Sequence, residues 1–216
     1  MSKKDLILIG AGGHCKSSIE IIEAGEMYAI RGIVDKSLNV SETLLSYPII
    51  GNDDQINSLI NPSTSFLVTI GQIKSFALRV KLFEFVTKLN GIFATVISPT
   101  AIISKRVSID FGTIVFHHSI INANASIGKN VIINNRALIE HDSKVGDHCH
   151  ISTGAIVNGN CKLEDSVFLG SNSVVIQGTQ ICSKVVIGAG SVVLKNINEK
   201  GVYAGSPARK IGDYNE

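Results

Sequence analysis

Aliphatic residues recur at every sixth position over the second half of the chain. The series begins at Ile97, ends at Val193 and is not interrupted. A second series lies two residues before the first, from Thr95 to Ser191, and contains only small or β-branched residues. A strict period of six drifts around an α-helix, so this pattern excludes an amphipathic helix and indicates a structural repeat.

A period of six with one large and one small apolar position is typical of a β-solenoid. We expect each hexad to supply one short strand and one corner, so that three hexads form a triangular coil. Residues one coil apart would then stack at about the 4.8 Å spacing of paired strands. The aliphatic series would fill the axis, and the small series would fit at the tight corners.

The N-terminal part of the chain alternates strand and helix patterns. The apolar run 6–9 is followed by the turn GAGGH, by a segment with helical spacing at 15–25, and by the strand IRGIVD, which ends at Asp35. This order is typical of a β–turn–α–β unit.

A second unit follows the first. The segment SYPIIGN, a possible helix at 53–60, the strand SFLVTIG and the helix KSFALRVKLFEFVTKL, ending near Asn90, continue the alternation. The sequence therefore predicts a small Rossmann-like α/β domain with a parallel sheet over residues 1–92, followed by an all-β solenoid over 93–216.

Composition narrows the class of protein. The chain of 216 residues is 44% hydrophobic and has a formal net charge of +2 without a basic run, which argues against a nucleic-acid-binding surface. No apolar run approaches the ~18 residues of a membrane span. The cysteines form no CxxC pair, so we expect a reduced, cytoplasmic protein without a zinc knuckle or disulfide framework.

The stretch ALIEHDSKVGDHCH, residues 137–150, carries the most evident candidate chemistry. His141 falls at a predicted corner between Glu140 and Asp142. An adjacent carboxylate can hold an imidazole in one tautomer and raise its basicity. Gly159 lies one coil higher, which predicts open space for a ligand above His141.

His150 lies nine residues after His141, which is half a coil. A whole face of the prism therefore separates the two side chains within one chain. They could share a site only where two copies meet, most simply in a cyclic trimer. His117, His118 and His148 have no distinctive neighbours, and we expect them to be surface residues.

The histidine spacing argues against a metal site. β-Helix proteins that resemble the γ class of carbonic anhydrase bind zinc through three histidines, two of them five residues apart. The residues five positions after His117 and His141 are Asn122 and Gly146, so we expect no metal.

The turn GAGGH, residues 10–14, follows a strand and opens a helix. Backbone amides bind phosphate in this context. The turn is not the full dinucleotide fingerprint, because Cys15 holds the third glycine position. Asp35, at the end of the next strand, could reach a ribose hydroxyl. The alternative is a tight turn that binds nothing.

The hexad pattern and the ending VYAGSPARKI resemble the hexapeptide-repeat acyltransferases over about residues 95–211. This resemblance implies a left-handed β-helix. The GAGGH domain, the IEHD corner and a histidine nine residues later together closely resemble the bacterial nucleotide-sugar acetyltransferases of surface-glycan biosynthesis. Known members N-acetylate a 4-amino sugar in the bacillosamine and perosamine pathways, and a sister branch comprises sialic acid O-acetyltransferases.

The resemblance implies a role for each matching position. His141 would be the general base, Asp142 or, less favourably, Glu140 would raise its basicity, and Asn134 would be an active-site residue. The positions that match contacts to acetyl-CoA are His150, Gly159, Ser171 and Ala189. The positions that match contacts to the nucleotide sugar are Gly12, Gly13, His14, Asp35 and Gly71.

These roles imply an acetyl-CoA-dependent N-acetyltransferase that acts on the 4-amino group of a UDP-, dTDP- or GDP-linked amino sugar. The resemblance also implies a homotrimer with active sites between subunits. The amine would attack the thioester directly, and Cys149 and Cys161, in the inward small series, would not act as nucleophiles. Two alternatives stay open: an O-acetyltransferase for a sialic-acid-like sugar, and a non-catalytic module that binds a nucleotide sugar.

Overall fold

The structure is a computed structural model that describes residues 3–40, 42–73 and 75–214. It begins with an α/β domain. Its strands are β1 (Lys4–Ile9), β2 (Tyr28–Val34), β3 (Thr43–Leu44), β4 (Tyr47–Gly51), β5 (Thr64–Val68) and β6 (Ile92–Phe93). Its helices are α1 (Gly13–Ala24), α2 (Ile56–Leu59) and α3 (Ala77–Lys88).

The six strands form one sheet in the order β3-β4-β2-β1-β5-β6. Neighbours are parallel except for the hairpin β3–β4. The helix predicted at 53–60 is divided into a 3₁₀ turn, Asp53–Gln55, and the short α2. Lys74, where the last helix was predicted to begin, lies outside the described residues, and α3 begins at Ala77. The domain boundary between residues 92 and 93 remains a proposal.

From Val96 the chain forms a three-sided parallel β-helix of short strands. Partners in successive coils are eighteen residues apart, as between Ile114 and Ile132, up to the last coil, where Val186 pairs with Val202. Face 1 consists of Val96–Ile97, Ile114–Val115, Ile132–Ile133, His150–Ile151, Phe168–Leu169, Val185–Ile187, Gly201–Ala204 and Arg209–Gly212. Face 2 consists of Ile102–Ile103, Ile120–Ile121, Leu138–Ile139, Ile156–Val157, Val174–Val175 and Val192–Val193. Face 3 consists of Ser108–Ile109, Ser126–Ile127, Lys144–Val145, Lys162–Leu163 and Gln180–Ile181.

Both periodic series lie inside the coil. The aliphatic series is buried from Val115 to Val193, whereas Ile97, in the first coil, is 41% exposed. The small series is buried beside it, including Cys149 and Cys161. Burial raises the pKa of the Cys149 thiol to about 12, so this side chain is a packing residue.

The outward side chains distinguish the three faces. Face 3 presents a polar column: Ser108, Ser126, Lys144, Lys162 and Gln180. Face 2 presents an apolar column in which every side chain stays partly or fully exposed among the described residues: Ile102, Ile120, Leu138, Ile156, Val174 and Val192.

Face 1 is covered over its lower half by the α/β domain. The outward residues Val96, Ile114 and Ile132 are buried in one cluster with residues of β1 and α1, including Leu6 and Ile19. Full burial of such a side chain contributes roughly 1.5–3 kcal/mol, so the two parts of the chain share a core. The outward residues farther along face 1 are half-exposed: Phe168, Val186 and Val202.

Adjacent positions in one strand should respond oppositely to truncation. Leu163 faces the axis and is 1% exposed, so Leu163→Ala leaves a cavity and should lower the free energy of unfolding by about 2–5 kcal/mol. Lys162 faces solvent, and Lys162→Ala should change that free energy by less than about 0.5 kcal/mol. Chemical denaturation of both variants measures the difference, and equal losses would contradict the inward packing of the series.

Candidate active site

A cleft of about 790 Å³ lies between the α/β domain and face 1 of the β-helix. The α/β domain contributes Gly13, His14 and Gly71 to one wall. The β-helix contributes the opposite wall, which includes four more of the predicted site residues: Asn134, His150, Ser171 and Ala189. The structure thus brings together residues that the family resemblance assigns to two different ligands.

His150 connects the two walls. It occupies the outward position of its strand, is 5% exposed, and its Nδ1 donates to the backbone oxygen of Gln72 at 2.6 Å. Burial lowers the pKa of His150 to about 4, so the imidazole is neutral near pH 7 and its Nε2 carries a lone pair. Asn134 Nδ2 lies 3.4 Å from that atom.

His14 lies in the first turn of α1, directly across the cleft. Its ring centroid is 5.2 Å from that of Phe116 and 6.3 Å from that of His150. Burial, with the nearby charge of Arg79, lowers the pKa of His14 to about 3. Its Nε2 is buried without a hydrogen-bond partner. Gly71 lies against this side chain, since a Cβ there would be 3.4 Å from His14 Cβ, which is ordinary van der Waals contact.

Asp35 organises the glycine turn. Its Oδ2 accepts from the backbone N–H of Ala11, and its Oδ1 accepts from that of Ser37, each at 2.7 Å. Gly12 is the N-cap of α1 and has no side chain to occupy the helix N-terminus. The turn therefore keeps the geometry of an anion site. Each carboxylate oxygen retains a second lone pair, so contact between Asp35 and a ribose stays a proposal.

Arg79 anchors the α/β domain to the β-helix and was missed by the sequence reasoning. It is 1% exposed, and its guanidinium donates to the backbone oxygens of Val68, Ile70 and Asn130. Burial lowers the pKa of Arg79 to about 9, so the group stays charged at neutral pH. A charged residue within the apolar stripe of α3 was the available signal.

His141 lies at the corner after face 2 and does not line the cleft. Its Nδ1 donates to Asp142 Oδ2 at 2.8 Å, and both side chains are about half exposed, at 55% and 51%. Asn124 also donates to Asp142, and these two hydrogen bonds hold the pKa of the Asp142 carboxyl below its usual value. Glu140 accepts instead from Asn122 at 2.9 Å, so Asp142 is the acid that pairs with His141.

The space predicted above His141 is not open. A Cβ on Gly159 would lie 2.7 Å from His141 Nε2, which shows that the imidazole ring itself stacks over the glycine. Gly159 therefore packs against the His141 ring. It is not among the residues that line the cleft with Ser171 and Ala189. The missing Cβ at Gly159 thus leaves room for the His141 ring, and a contact between Gly159 and acetyl-CoA stays a prediction.

His148 was expected at the surface, and this expectation is also wrong. Its ring packs edge-on against Phe83 of α3, with centroids 5.3 Å apart, and Asn130 lies within hydrogen-bond distance. Burial lowers its pKa. Sequence spacing could not reveal this packing, since α3 belongs to the other domain. His118 is exposed, whereas His117 is half-buried and lies 2.7 Å from Ser98 Oγ.

Within the part of the chain that the structure describes, no three His, Cys, Asp or Glu side chains are grouped to hold a metal ion. No helix among those same residues has the length and apolar character needed to cross a bilayer.

Models of known families match both parts of the chain. Residues 5–84 match the PglD N-terminal domain. Residues 124–159 match the bacterial transferase hexapeptide (six repeats), and residues 161–195 match the hexapeptide repeat of succinyl-transferase. A comparison with curated proteins gave no match.

Solved structures resemble the whole chain. A histidine-to-asparagine variant of perosamine N-acetyltransferase from Caulobacter crescentus, in complex with CoA and GDP-perosamine, has 30% identity and a TM-score of 0.90 over 97% of each chain. The acetyltransferase domain of PglB from Neisseria gonorrhoeae has 27% identity and a TM-score of 0.90, with coverage of 97% of this chain and 100% of that one.

WeeI from Acinetobacter baumannii, at 24% identity and a TM-score of 0.84 over 95% of this chain and 99% of its own, shares the fold. The chain belongs to the bacterial nucleotide-sugar N-acetyltransferases that join a PglD-type N-terminal domain to a hexapeptide-repeat left-handed β-helix. The predicted family, fold class and enzyme class are confirmed.

The two cleft histidines should have pKa values far below that of an ordinary histidine. We expect midpoints of about 3 for His14 and about 4 for His150. Because the unfolded pKa is about 6.5, the unfolded state binds protons first, and the free energy of unfolding should fall as pH decreases from about 6.5 to 3. NMR titration of the imidazole Cε1 protons, assigned with His14→Asn and His150→Asn, measures both. A midpoint near 6.5 at either residue would contradict its burial.

Proposed function

We propose that this protein transfers the acetyl group of acetyl-CoA to the 4-amino group of a UDP-, dTDP- or GDP-linked amino sugar. One observation carries the proposal. The cleft places the glycine turn and His14 opposite His150, Ser171 and Ala189, so the two ligands implied by the sequence would meet in one space. The reaction and a cytoplasmic location both stay predictions.

The N-terminus of α1 would hold the phosphates of the nucleotide sugar. Backbone amides at Gly12 and Gly13 lie where the helix dipole favours an anion. Acetyl-CoA would lie along face 1, beside His150, Ser171 and Ala189. This arrangement agrees with the ligands of the Caulobacter crescentus structure, CoA and GDP-perosamine.

His141 is the base in this proposal. Because Nδ1 donates to Asp142, Nε2 of the neutral ring has a free lone pair. Nε2 takes a proton from the amine while the amine nitrogen attacks the thioester carbonyl carbon. The C–N bond forms, the C–S bond breaks, and the proton passes from Nε2 to the leaving sulfur. Neither cysteine of the inward series takes part.

Asn134 would stabilise the oxyanion that forms during this attack. Its Oδ1 accepts from the backbone N–H of Asn135 at 2.8 Å, which directs Nδ2 toward His150 Nε2. The 3.4 Å separation makes that contact weak. Nδ2 can therefore turn to a developing negative charge in the cleft.

The base must come from a second copy of the chain. His141 follows face 2, whereas the cleft opens beside the corner that precedes face 2, at Asn134 and Ser171. The apolar outward column of face 2 would be buried if three copies packed around a threefold axis. The corner after face 2 of one copy would then approach the corner before face 2 of the next.

The positions of Asn134 and His141 along the β-helix axis agree with this trimer. Asn134 and His141 belong to the same coil, and a full coil rises by about 4.8 Å. An axis parallel to the β-helix therefore keeps them within about 2–3 Å in height. His141 of one subunit would face Asn134 and the cleft of its neighbour.

The base role of His141 is testable by activity. Purified protein with acetyl-CoA and UDP-, dTDP- and GDP-linked 4-amino sugars should release free CoA. His141→Ala should lower the rate by about 10²–10⁴-fold without changing the oligomeric mass. His118→Ala, which alters an exposed corner histidine, serves as the control. Full activity of His141→Ala would remove this residue from the base role, and turnover of a hydroxyl acceptor alone would identify an O-acetyltransferase.

Mixed assemblies test the shared site. His141→Ala has an intact cleft, and His14→Ala has an intact base. Each should be nearly inactive alone. Co-assembly at equal amounts should restore about a quarter of the wild-type sites, because one interface in four joins an intact cleft to an intact base in a random cyclic trimer. Activity that stays at the level of the separate variants would show that cleft and base act within one chain.

A further inference from the structure

Two columns of polar and small side chains flank the apolar column of face 2. Inward and outward positions alternate along each strand, so the residues two before and two after each outward residue of face 2 lie at its two edges. The first edge consists of Thr100, His118, Arg136, Gly154, Asn172 and Gly190. The second edge consists of Ser104, Asn122, Glu140, Asn158, Ile176 and Leu194. None of these residues is buried, which agrees with an outward position.

The two edges carry one pair of opposite charges. Arg136 is the one permanently charged residue of the first edge, and Glu140 is the one charged residue of the second edge. Both belong to the same coil, on either side of Leu138. The remaining edge residues are neutral, apart from His118, which is charged only when protonated. The two edges are therefore complementary in charge at a single level of the β-helix.

The guanidinium of Arg136 has no partner within its own chain. The backbone N–H of Arg136 donates to the oxygen of His117 at 2.9 Å, which fixes this corner. The side chain is exposed, and it forms no hydrogen bond or ion pair in the part of the chain that the structure describes. If a second subunit covers face 2, this charge loses water, and burial of an unpaired charge is costly. Packing of face 2 therefore requires an anion near Arg136.

Glu140 can supply that anion. Its Oε2 accepts from Asn122 Nδ2 at 2.9 Å, whereas Oε1 has no hydrogen bond among the described residues. Asp142 is less suitable, because both of its oxygens are engaged, Oδ2 with His141 and Oδ1 with Asn124. Asp142 also lies past the corner, at the edge of face 3. Glu140 is thus the acid of this corner that faces outward from face 2.

The side chains of Arg136 and Glu140 do not meet within one chain. Four residues of extended chain place their Cα atoms about 13 Å apart, with Leu138 between them. In the proposed trimer, the corner before face 2 of one subunit approaches the corner after face 2 of the next. Arg136 would then lie opposite Glu140 of the neighbouring subunit, at the same level along the axis.

We propose that Arg136 of one subunit forms an ion pair with Glu140 of the next, which gives three such pairs in a cyclic trimer. The inference rests on the trimer of the proposed function. The apolar column of face 2 is similar from coil to coil, so it does not fix the relative height of two subunits, whereas one charged pair does. Because Glu140 precedes His141 directly, the pair would also hold the base beside Asn134 of the neighbour.

Charge reversals in separate chains test the pair. Arg136→Glu places two carboxylates opposite each other at every interface of its own trimer, and Glu140→Arg places two guanidinium groups there. An interface between the two variants restores opposite charges in either order. When the two variants are co-expressed with different tags, random assembly gives about three mixed trimers to one unmixed. We expect an excess of mixed trimers of about 10-fold over that ratio, measured by native mass spectrometry.

Two further chains serve as controls. Lys162→Glu makes the same charge change as Arg136→Glu on face 3, where Lys162 faces solvent, and its co-expression with wild type should give the random ratio. A chain that carries both Arg136→Glu and Glu140→Arg has opposite charges in exchanged positions. It should form trimers as wild type does, because each interface then contains one pair again.

Each other outcome overturns a defined part of the scheme. A random ratio for the two reversal variants would overturn the ion pair. A doubly reversed chain that folds, as shown by circular dichroism, but does not form trimers would overturn it as well. Wild-type protein that is not trimeric would overturn both the shared site and the pair. An excess of mixed trimers, with no release of CoA by wild type from acetyl-CoA and any of the amino sugars, would overturn the proposed function alone.

Discussion

Each coil of the β-helix places a residue directly above the one eighteen positions earlier, and every later feature of the molecule depends on this register. Inward columns are aliphatic and small, and their side chains form one buried cluster along the axis. The outward columns do not have to fill the axis, and their chemistry differs from face to face. Face 3 is polar, face 2 is apolar and largely uncovered, and face 1 is divided between a covered and an open half. The register thus lets each face carry its own outward chemistry.

The open half of face 1 becomes a cleft because the α/β domain is too short to cover it. The domain is fixed by a shared apolar core and by Arg79, whose buried charge meets only backbone oxygens. Burying a charge is costly unless hydrogen bonds compensate it, so this contact tolerates little displacement. Burial, assisted by the charge of Arg79, disfavours protonation of His14 and His150, so both cleft histidines are neutral near pH 7.

The proposed site places the base and the ligands in two different environments. His141 and its carboxylate partner Asp142 lie at an exposed corner. Ligand binding needs enclosure, which the cleft supplies at the opposite corner of face 2. In the proposed trimer, His141 of one subunit would reach the cleft of its neighbour only when the subunits pack through face 2. A free subunit would then bind ligands without an effective base.

The sequence by itself determined the repeat, its inward and outward columns, the order of strands and helices, and the pairing of a corner histidine with a neighbouring acid. These features follow from local periodicity, which one chain records directly. Only the tertiary structure decided that His148 is packed, that the His141 ring lies over Gly159, and that Gln72 and Arg79 of the α/β domain form hydrogen bonds to the β-helix. Such contacts join residues distant in the chain, and no period in the sequence encodes them.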